Sequence, residues 1–501
     1  MDEGAVSDER AGPGARIAEA RPSVRRLTTS KLILAAVDAA TLLLAFLLFR
    51  HGTVDSQIVI YRFTEQGTTA QQTGVDWFFI LLFFLLFYFH ASGHYARRRV
   101  FWEDVRACVG ALGIAAALDI LFMSAVSHPT PAWISALTWL GIAVLLPLMR
   151  YVAKRLLLKA RLWQIPTVIV GTGRSAQDTC RALNNEVTLG YDVKAFIALQ
   201  DARPDLPPGI AILGRTFPVL RMGPEPGAFL SELGNPHVVL ALEEDEMRAA
   251  PRIIDSVGFI PHAVDIVPPL RGLPLYGLDT QFLFAQDILL MRVRNNLART
   301  VTRMIKRAFD LVAASLLIVL LLPLLLAIAV TVGRTGPILY SHGRIGEKGR
   351  PFNCLKFRTM VPDAEGALRR HLEENPQARA EWERDYKLRD DPRITRFGAW
   401  LRRSSLDELP QLLNVLRGDM SLVGPRPIVE DECARYGQYI AYYRQVKPGI
   451  TGLWQISGRN DVGYTERVFL DVWYVKNWSL WYDFVILLNT AVVVMRRQGA
   501  Y

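Results

Sequence analysis

Long apolar runs dominate the first third of the chain. Four of them approach the ~20 apolar residues that span a hydrocarbon layer of ~30 Å: Leu32 to Phe49, Trp77 to Ser92, Ala107 to Val126 and Trp133 to Met149. The pattern predicts four transmembrane helices within residues 31–160. A secretory signal peptide is the alternative for the first run, but three further runs follow it. Residues 1–30 are rich in Ala, Gly, Pro and charge, and we expect a disordered cytoplasmic tail there.

Basic residues orient this bundle. They cluster at 97–99 after the second run and at 150–159 after the fourth, whereas residues 51–75 hold a single Arg. Because cytoplasmic loops are enriched in Lys and Arg, we expect both ends of the bundle on the cytoplasmic side. Asp38 and Asp119 lie inside the runs, where an ionisable group is either functional or paired. We favour a packing role, since no relay of such groups accompanies them.

Short apolar runs follow, as is typical of strands. Residues 167–176, Thr-Val-Ile-Val-Gly-Thr-Gly-Arg-Ser-Ala, predict a strand, a glycine turn and a helix. Together with later strand-like runs they predict a Rossmann-like α/β domain over residues 161–285. The spacing of Gly171, Gly173 and Ala176 is weak support for a bound nucleotide, since tight turns need glycine in any case. We favour a regulatory or oligomerising spacer.

A fifth apolar run, Phe309 to Val332, is interrupted by Pro323 and has basic residues on both sides. The stretch before the proline is about 21 Å long at ~1.5 Å per residue, too short to cross a membrane. The sequence therefore predicts a re-entrant helix at about 306–332 that breaks at Pro323. An ordinary fifth span is the alternative, but it would place the charged remainder outside. The last run, Trp478 to Met495, suits a helix lying at the cytoplasmic surface.

Composition agrees with a membrane protein that has a basic cytoplasmic face. Hydrophobic residues make up 51% of the chain, and 58 Lys and Arg against 48 Asp and Glu give a net charge of +10. Nucleic acid is the other partner that a basic chain suggests, but the sequence has no base-reading motif, so we expect no nucleic-acid partner. The four cysteines match neither zinc-ligand spacing nor a compact disulfide framework, so we expect them to be reduced.

The candidate chemistry lies in the segment from Leu401 to Pro427. Leucines at helical spacing, with Pro410 in the first turn and Gly418 as a stop, predict a helix with Asp407 and Glu408 at its N-terminus. The helix dipole would lower the pKa of a carboxylate there and favour phosphate. An ionised Asp can attack phosphorus, and an adjacent Glu can hold Mg²⁺. The alternative is structural: Ser405 and Glu408 as a capping box, or Asp407 as an N-cap.

This segment and three others closely resemble the bacterial sugar transferase family. The others are Lys356-Phe-Arg-Thr-Met360, Asp391-Pro-Arg-Ile-Thr-Arg396 and Lys447-Pro-Gly-Ile-Thr-Gly-Leu-Trp-Gln-Ile-Ser-Gly-Arg459. The resemblance covers residues 300–501 and implies a mainly α catalytic domain with the re-entrant helix. The four-span bundle and the Rossmann-like domain match the large form of the family. The family's helix break is typically Ser-Pro, whereas this chain has Leu322-Pro323.

The resemblance implies a reaction at the cytoplasmic face of the bacterial inner membrane. A hexose 1-phosphate would pass from a UDP-hexose to undecaprenyl phosphate, releasing UMP, in the first membrane step of exopolysaccharide, capsule or O-antigen synthesis. Asp407 would be the nucleophile, with Glu408 beside Mg²⁺, and a homodimer is expected. The residues expected to bind the substrates are Arg426, Arg402, Lys356, Arg358 and Arg459.

Three alternatives stay open. Residues 292–299, Arg-Val-Arg-Asn-Asn-Leu-Ala-Arg, and the overall architecture favour galactose, but glucose-transferring relatives share the main motifs. A membrane-tethered nucleotide-sugar dehydratase or epimerase would use Gly343, Gly346 and Gly349 with Tyr443 and Lys447. A non-catalytic scaffold for polysaccharide export is the third, although the intact carboxylate pair gives no sign of a dead enzyme.

Overall fold

The computed structural model divides the chain into two compact units, Met1–Arg271 and Gly272–Tyr501. It describes residues 24–51, 69–126, 132–199, 206–223, 225–248, 264–268, 278–283, 288–292, 297, 299–385, 388, 391–458 and 463–495. The predicted tail at 1–30 lies mostly outside these residues, as does part of the 292–299 segment.

The first unit begins with four helices. They are α1 (Val24–Phe46, continued by a π-helical turn at Leu47–His51), α2 (Thr69–Ala91), α3 (Phe101–Ala125) and α4 (Ala132–Lys159). Phe78, Leu112 and Ile142 pack in the bundle core, whereas Phe83, Ile114 and Leu140 are more than 60% exposed on its outside. A bundle that is apolar both inside and outside is built for a lipid surrounding.

Length and hydropathy test the predicted spans. Among the described residues, four helices are long and apolar enough to cross a membrane: Thr28–Phe49, Phe101–Ala125, Ala132–Lys159 and Thr300–Gly333. The first three contain predicted spans. The second predicted span lies in α2, where the apolar stretch Asp76–Ala91 falls short of that length, and the fourth long helix is the one that contains Pro323. The chain is a membrane protein.

Both intramembrane aspartates have partners. Asp38 accepts hydrogen bonds from Nε of Arg150 (2.8 Å) and from the Tyr95 hydroxyl (2.8 Å). Asp119 accepts one from Nε1 of Trp139 (3.0 Å). Removing one partner of a buried ion pair typically costs about 3–5 kcal/mol, because the other charge is left uncompensated. These contacts join helices to one another, in agreement with a packing role.

A six-stranded sheet follows in the same unit. Its strands are β1 (Ile165–Val170), β2 (Tyr191–Ala198), β3 (Gly209–Ile212), β4 (Arg215–Arg221), β5 (His237–Leu240) and β6 (Val264–Ile266), in the order β3-β4-β2-β1-β5-β6. The helices between them are α5 (Arg174–Asn185), α6 (Pro226–Glu232) and α7 (Glu244–Arg248), with a 3₁₀ turn at Val187–Leu189. All pairs are parallel except β3 with β4. From the central strand β1 the chain first builds the sheet outward through β2 and then returns to add β5 and β6 on the other side of β1.

The second unit is mainly helical. It opens with the hairpin β7 (Asp279–Leu283) and β8 (Ile288–Arg292), the long helix α8 (Thr300–Gly333), and the hairpin β9 (Leu339–Ile345) and β10 (Pro351–Phe357), closed by a 3₁₀ turn at Glu347–Gly349. Then come α9 (Ala364–Glu374), α10 (Pro376–Asp385), α11 (Arg396–Arg403), a 3₁₀ turn (Leu406–Glu408), α12 (Gln411–Arg417) and β11 (Ser421–Val423). The remainder is α13 (Glu430–Tyr436), a 3₁₀ turn (Gly437–Tyr439), α14 (Ile440–Tyr443), β12 (Gly449–Thr451), α15 (Leu453–Ile456), α16 (Tyr464–Lys476) and α17 (Leu480–Met495).

Both arms of α8 pack against the rest of this unit. Near its start, Nζ of Lys306 lies 2.6 Å from Oδ2 of Asp483 in α17, and Asp310 accepts a 2.8 Å hydrogen bond from the Ser421 hydroxyl. Near its end, Ile328 and Val332 pack in one cluster with Phe357 and Leu401. The helix continues from Thr300 to Gly333 through Pro323, so the predicted break of the helix at that residue is not found. A proline removes one backbone donor, and a long apolar helix can tolerate that loss.

Candidate active site

One face of the β9–β10 hairpin forms the floor of a cleft. Strand side chains alternate between faces, and Tyr340, His342 and Arg344 of β9 line the cleft together with Cys354 and Lys356 of β10. The antiparallel register sets Tyr340 opposite Lys356 and His342 opposite Cys354. The cleft encloses about 970 Å³.

Asn414 fixes this hairpin to the segment that carries the carboxylates. Its side chain is fully buried, donates to the Asn353 carbonyl (2.8 Å) and accepts from the Leu355 amide (3.0 Å). A buried amide that satisfies two backbone groups of one strand holds that strand in register with α12. The signal in the sequence is a polar residue inside the apolar run Leu412-Leu-Asn-Val-Leu416, which sequence reasoning passed over.

The carboxylate pair lies in a turn of its own. After α11 ends, Ser405 adopts a left-handed conformation (φ 55°), and Asp407 and Glu408 follow in the 3₁₀ turn Leu406–Glu408. A left-handed conformation is unusual for a residue other than glycine. The prediction of one continuous helix from Leu406 is therefore wrong: α12 begins at Gln411, and Pro410 precedes it. Ser405 makes no side-chain cap hydrogen bond, which excludes the capping box of Ser405 and Glu408. The N-cap position of α12 is Pro410, so Asp407 is not its N-cap.

Burial sets the acidity of Asp407. Asp407 is only 8% exposed. Burial, and to a smaller extent the neighbouring Glu408 charge, raises the pKa of Asp407 to about 6. The nearby cations Lys356 and Arg402 act in the opposite direction. The sequence predicted a lowered pKa from a helix dipole. That prediction is wrong, because Asp407 precedes α12 and loses hydration in the cleft wall. Glu408 lies beside it, with Oε1 2.6 Å from Nζ of Lys356.

The Asp391–Arg396 motif has a structural task at this site. Asp391 and Arg393 form an ion pair (Oδ2 to Nη2, 2.6 Å), and Thr395 caps α11 by accepting from the Gly398 amide (2.9 Å). A side chain at Gly398 would collide with the Thr359 carbonyl, so α11 lies directly against the end of β10. Arg402 thereby comes within 2.9 Å of the Thr359 hydroxyl and lines the cleft.

Two glycine-containing motifs interlock to present Arg426. The parallel pair β11–β12 sets Ser421 opposite Gly449, and the Gly424 amide donates to the Thr451 carbonyl (2.9 Å). A Cβ atom at Gly449 would collide with the Gly424 amide, so only glycine allows this approach. The following turn places the Arg426 guanidinium 5.4 Å from the centre of the Trp454 ring, within range of a cation–π contact.

The cleft brings most predicted site residues together. Its lining includes Asp407, Glu408, Lys356, Arg358, Arg402 and Arg426. Arg358 is expected to bind substrate, but its guanidinium is also bound to the end of α8. Its Nη2 donates to the Thr335 hydroxyl (2.7 Å) and to the Val332 carbonyl (3.2 Å). Arg459 lies outside the described residues, so its role stays a prediction. Sequence reasoning missed Tyr340, His342, Arg344 and Gln411, whose only signal is strand alternation or a polar position within an apolar helix.

Comparison with known proteins decides the family. The family model for bacterial sugar transferases matches residues 301–497. The chain is 41% identical over 429 residues to the UDP-galactose-lipid carrier transferase of Erwinia amylovora, covering 85% of this chain and 86% of that protein. The chain belongs to the bacterial sugar transferase family.

Two further relatives of this sugar transferase separate whole-chain from partial similarity. The undecaprenyl-phosphate galactose phosphotransferase of Salmonella typhimurium is 40% identical over 429 residues, 85% of this chain. The UDP-glucose:undecaprenyl-phosphate glucose-1-phosphate transferase of Caulobacter vibrioides is 41% identical over 226 residues, which cover 43% of this chain and 79% of that protein. The match named for galactose therefore extends over a much larger part of the chain.

The dehydratase alternative does not fit the geometry of this sugar transferase. Gly346 and Gly349 lie at the turn between two antiparallel strands, whereas a dinucleotide site needs a strand-to-helix turn. Tyr443 is buried, and its hydroxyl donates to the Ile345 carbonyl (2.7 Å). Burial also raises the pKa of this phenol far above its ordinary value, which is opposite to what a catalytic tyrosine requires.

The glycine turn of the first unit already holds an anion from the chain itself. Oε1 of Glu243 accepts from the amides of Arg174 (2.7 Å) and Ser175 (3.3 Å) at the start of α5. Oε1 of Glu246 accepts from the Thr172 amide (3.3 Å). These are the amides that would cradle a phosphate in a nucleotide-binding domain. The carboxylates therefore occupy the positions that a nucleotide phosphate would take.

The carboxylate pair of the sugar transferase cleft suits a divalent cation. Asp407 and Glu408 both line the cleft, and the Glu408 charge contributes to the raised pKa of Asp407, so the two carboxylates lie close enough to interact. Mg²⁺ is commonly held by one or two carboxylates together with substrate phosphates. The residues present therefore fit Mg²⁺ bound jointly by the protein and a diphosphate substrate.

Proposed function

We propose that this sugar transferase moves a hexose 1-phosphate from a UDP-hexose to undecaprenyl phosphate, giving undecaprenyl-diphosphate-hexose and UMP. The observation that supports this most directly is the buried carboxylate pair Asp407 and Glu408 in a cleft lined by Lys356, Arg402 and Arg426. A diphosphate needs cationic donors around it, and transfer of its sugar-bearing phosphorus needs a nucleophile among them. The product would start exopolysaccharide, capsule or O-antigen synthesis.

The reaction takes two displacements at one phosphorus. An oxygen of ionised Asp407 attacks the phosphorus that carries the sugar, the bond to the UMP oxygen breaks, and UMP leaves. An oxygen of undecaprenyl phosphate then attacks the same phosphorus, and the acyl phosphate bond breaks to restore the Asp407 carboxylate. Nothing besides the two substrates is consumed. The covalent intermediate predicts ping-pong kinetics.

Neighbouring side chains have separate tasks. Arg426, held by the β11–β12 motif and lying over Trp454, contacts the nucleotide. Lys356 orients Glu408 through their 2.6 Å ion pair. Asp407 and Glu408 would hold Mg²⁺, which when bound supplies positive charge against the departing diphosphate oxygens. Arg402 adds positive charge near Asp407 and opposes the rise of its pKa.

Galactose is the proposed sugar. The two relatives named above for galactose match 85% of this chain, whereas the relative named for glucose matches 43% of it. Glucose is therefore the second choice and becomes one arm of the experiment below.

The proposed setting is the cytoplasmic face of a bacterial inner membrane, with α8 as a re-entrant helix. The polar contacts of Lys306 and Asp310 at one end of α8 and of Val332 at the other involve the same unit. Between them, Leu316, Val319 and Leu320 are about 70% exposed. These contacts support the proposal that both ends lie on one side of the membrane, which would need a bend in α8 at Pro323. Arg303→Cys and Arg334→Cys, made one at a time, should both react with a membrane-impermeant maleimide added on the cytoplasmic side. Reaction of the two cysteines from opposite sides of the membrane would contradict the re-entrant helix.

The strand order of the first unit supports a Rossmann-like domain, since the order β4-β2-β1-β5-β6 reverses beside β1 as in doubly wound folds. With Glu243 in its glycine turn, we propose a spacer or regulatory role for this domain rather than nucleotide binding. The homodimer stays a proposal by analogy with the family.

The test is UMP release by the detergent-solubilised chain with Mg²⁺ and undecaprenyl phosphate. UDP-galactose should support turnover, UDP-glucose should support less, and Asp407→Asn should lower the rate by at least about 1000-fold. Asp363→Asn, at the rim of the cleft, is the matched loss of a carboxylate and should stay within about tenfold of wild type. Absence of lipid-dependent UMP with either sugar would refute the transferase, and faster turnover of UDP-glucose would refute galactose.

A further inference from the structure

The cleft has two ends, which lie at opposite ends of the β9–β10 hairpin. In the hairpin, Arg344 stands opposite Phe352, whereas Tyr340 stands opposite Lys356. Four residues at ~3.3–3.4 Å per residue separate Arg344 from Tyr340 by about 13 Å along the strand. Nη1 of Arg344 donates to the Pro427 carbonyl (3.3 Å), so Arg426 belongs to the Arg344 end.

Arg358 belongs to the other end, next to the apolar surface of α8. It follows β10 directly, and its Nη2 holds Thr335 and Val332 where α8 ends. Ile338, Leu339 and Tyr340 continue from that point and are 40%, 42% and 53% exposed. Apolar and aromatic side chains exposed beside an apolar helix are typical of a surface that meets lipid. A lipid substrate would reach the cleft from this end.

The guanidinium of Arg358 has unused donors. Among the described residues, its Nε and Nη1 atoms have no hydrogen-bond partner and are hidden from solvent. Gly336 (φ +137°) packs over Nη1, and a Cβ atom there would collide with it. Buried N–H groups without acceptors are costly, and a guanidinium N–H donates a strong charge-assisted hydrogen bond to a phosphate. Nε and Nη1 lie on different edges of the guanidinium, so a phosphate that enters by displacing the Gly336 turn would accept a hydrogen bond from Nη1.

We infer that Arg358 binds the phosphate of the polyprenyl acceptor, while Arg426 binds the donor nucleotide. The inference rests on the proposed function and divides it between two ends of one cleft. Lys356, paired with Glu408, lies between them, so a phosphosugar on Asp407 is formed from the Arg426 end and consumed from the Arg358 end. In the second step an acceptor oxygen bonds to the phosphorus, and the bond from phosphorus to the Asp407 oxygen breaks.

The two half-reactions allow a clean test. Exchange of labelled UMP into UDP-galactose without lipid requires only the first half-reaction, whereas formation of lipid-linked sugar requires both. Arg358→Gln should keep exchange within about threefold of wild type and raise the KM for undecaprenyl phosphate at least about tenfold. Arg358→Lys should recover part of that KM, because it restores the positive charge but not the guanidinium donor beside Gly336.

Arg426→Gln should show the opposite pattern and lose exchange. Arg334→Gln is the matched control, since this exposed arginine directly follows α8 and does not line the cleft; it should change neither assay by more than about twofold. Equal losses of exchange and transfer in Arg358→Gln, or an unchanged KM for the lipid, would overturn the inference. Absence of exchange in wild type, or its survival in Asp407→Asn, would instead refute the proposed function.

Discussion

The glycine turn of the first unit and the cleft of the second are both built to hold anions, but only one of them is open. At the glycine turn, the Glu243 carboxylate accepts hydrogen bonds from the backbone amides of Arg174 and Ser175. In the cleft, Arg426 remains exposed and Arg358 keeps two donors without partners among the described residues. A phosphate-binding motif therefore indicates function only when its donors are free. Sequence shows the donors of both regions, whereas the structure shows which ones are already satisfied.

A glycine substitution in each region should separate them most strongly. Gly449→Ala places a Cβ atom against the backbone of Gly424, which cannot move without displacing Arg426. We expect UMP–UDP-galactose exchange to fall at least about 100-fold, since small misplacements at a reacting centre have effects of this size. Gly173→Ala is the control: its Cβ meets the Glu243 side chain at 2.6 Å, which can shift. Equal loss of exchange in both variants would contradict the contrast.

The pH dependence should report the acidic wall of the open cleft. Burial and Glu408 raise the pKa of Asp407 to about 6. The nucleophile is protonated below that pH, so the exchange rate should fall about tenfold per pH unit below 6 and level off above it. Glu408→Gln removes one cause of the raised pKa, and its acid limb should move to lower pH. A flat profile between pH 5 and 7 at fixed Mg²⁺ would be inconsistent with Asp407 as the nucleophile.

The closed glycine turn should respond in stability rather than activity. Glu243→Gln keeps the shape but removes the negative charge from the start of α5, where such a charge contributes about 0.3–1 kcal/mol. We expect a small decrease in the melting temperature, with sugar transfer within about twofold of wild type. Glu244→Gln is the matched control, because that side chain is exposed and takes no part in the contacts of Glu243 with α5. A large loss of transfer in Glu243→Gln alone would assign this domain a direct part in catalysis.

Local patterns predicted much of the molecule, and the misses share one cause. The apolar runs predicted helices at all four long helical segments, three as membrane spans and one as a re-entrant helix, and the four motifs predicted which cations and carboxylates share the cleft. The pKa of Asp407 could not be read from neighbouring residues, because it depends on burial under elements distant in sequence. The direction of Arg358 likewise depends on Thr335, 23 residues earlier in the chain. Likewise, no residue near Ser405 in the sequence predicts its left-handed backbone conformation.

The Asp38–Arg150 pair has a consequence for biosynthesis. Its partners are 112 residues apart, so at ~5–20 residues per second the ribosome adds Arg150 roughly 6–22 s after Asp38. During that interval the first helix carries an acidic group into the translocon with no arginine to meet it, at an insertion cost of about 2.5–3.5 kcal/mol near a helix centre. Asp38→Asn should therefore ease membrane integration of the nascent first helix while weakening the finished bundle. Synthesis and final stability place opposite demands on this one carboxylate.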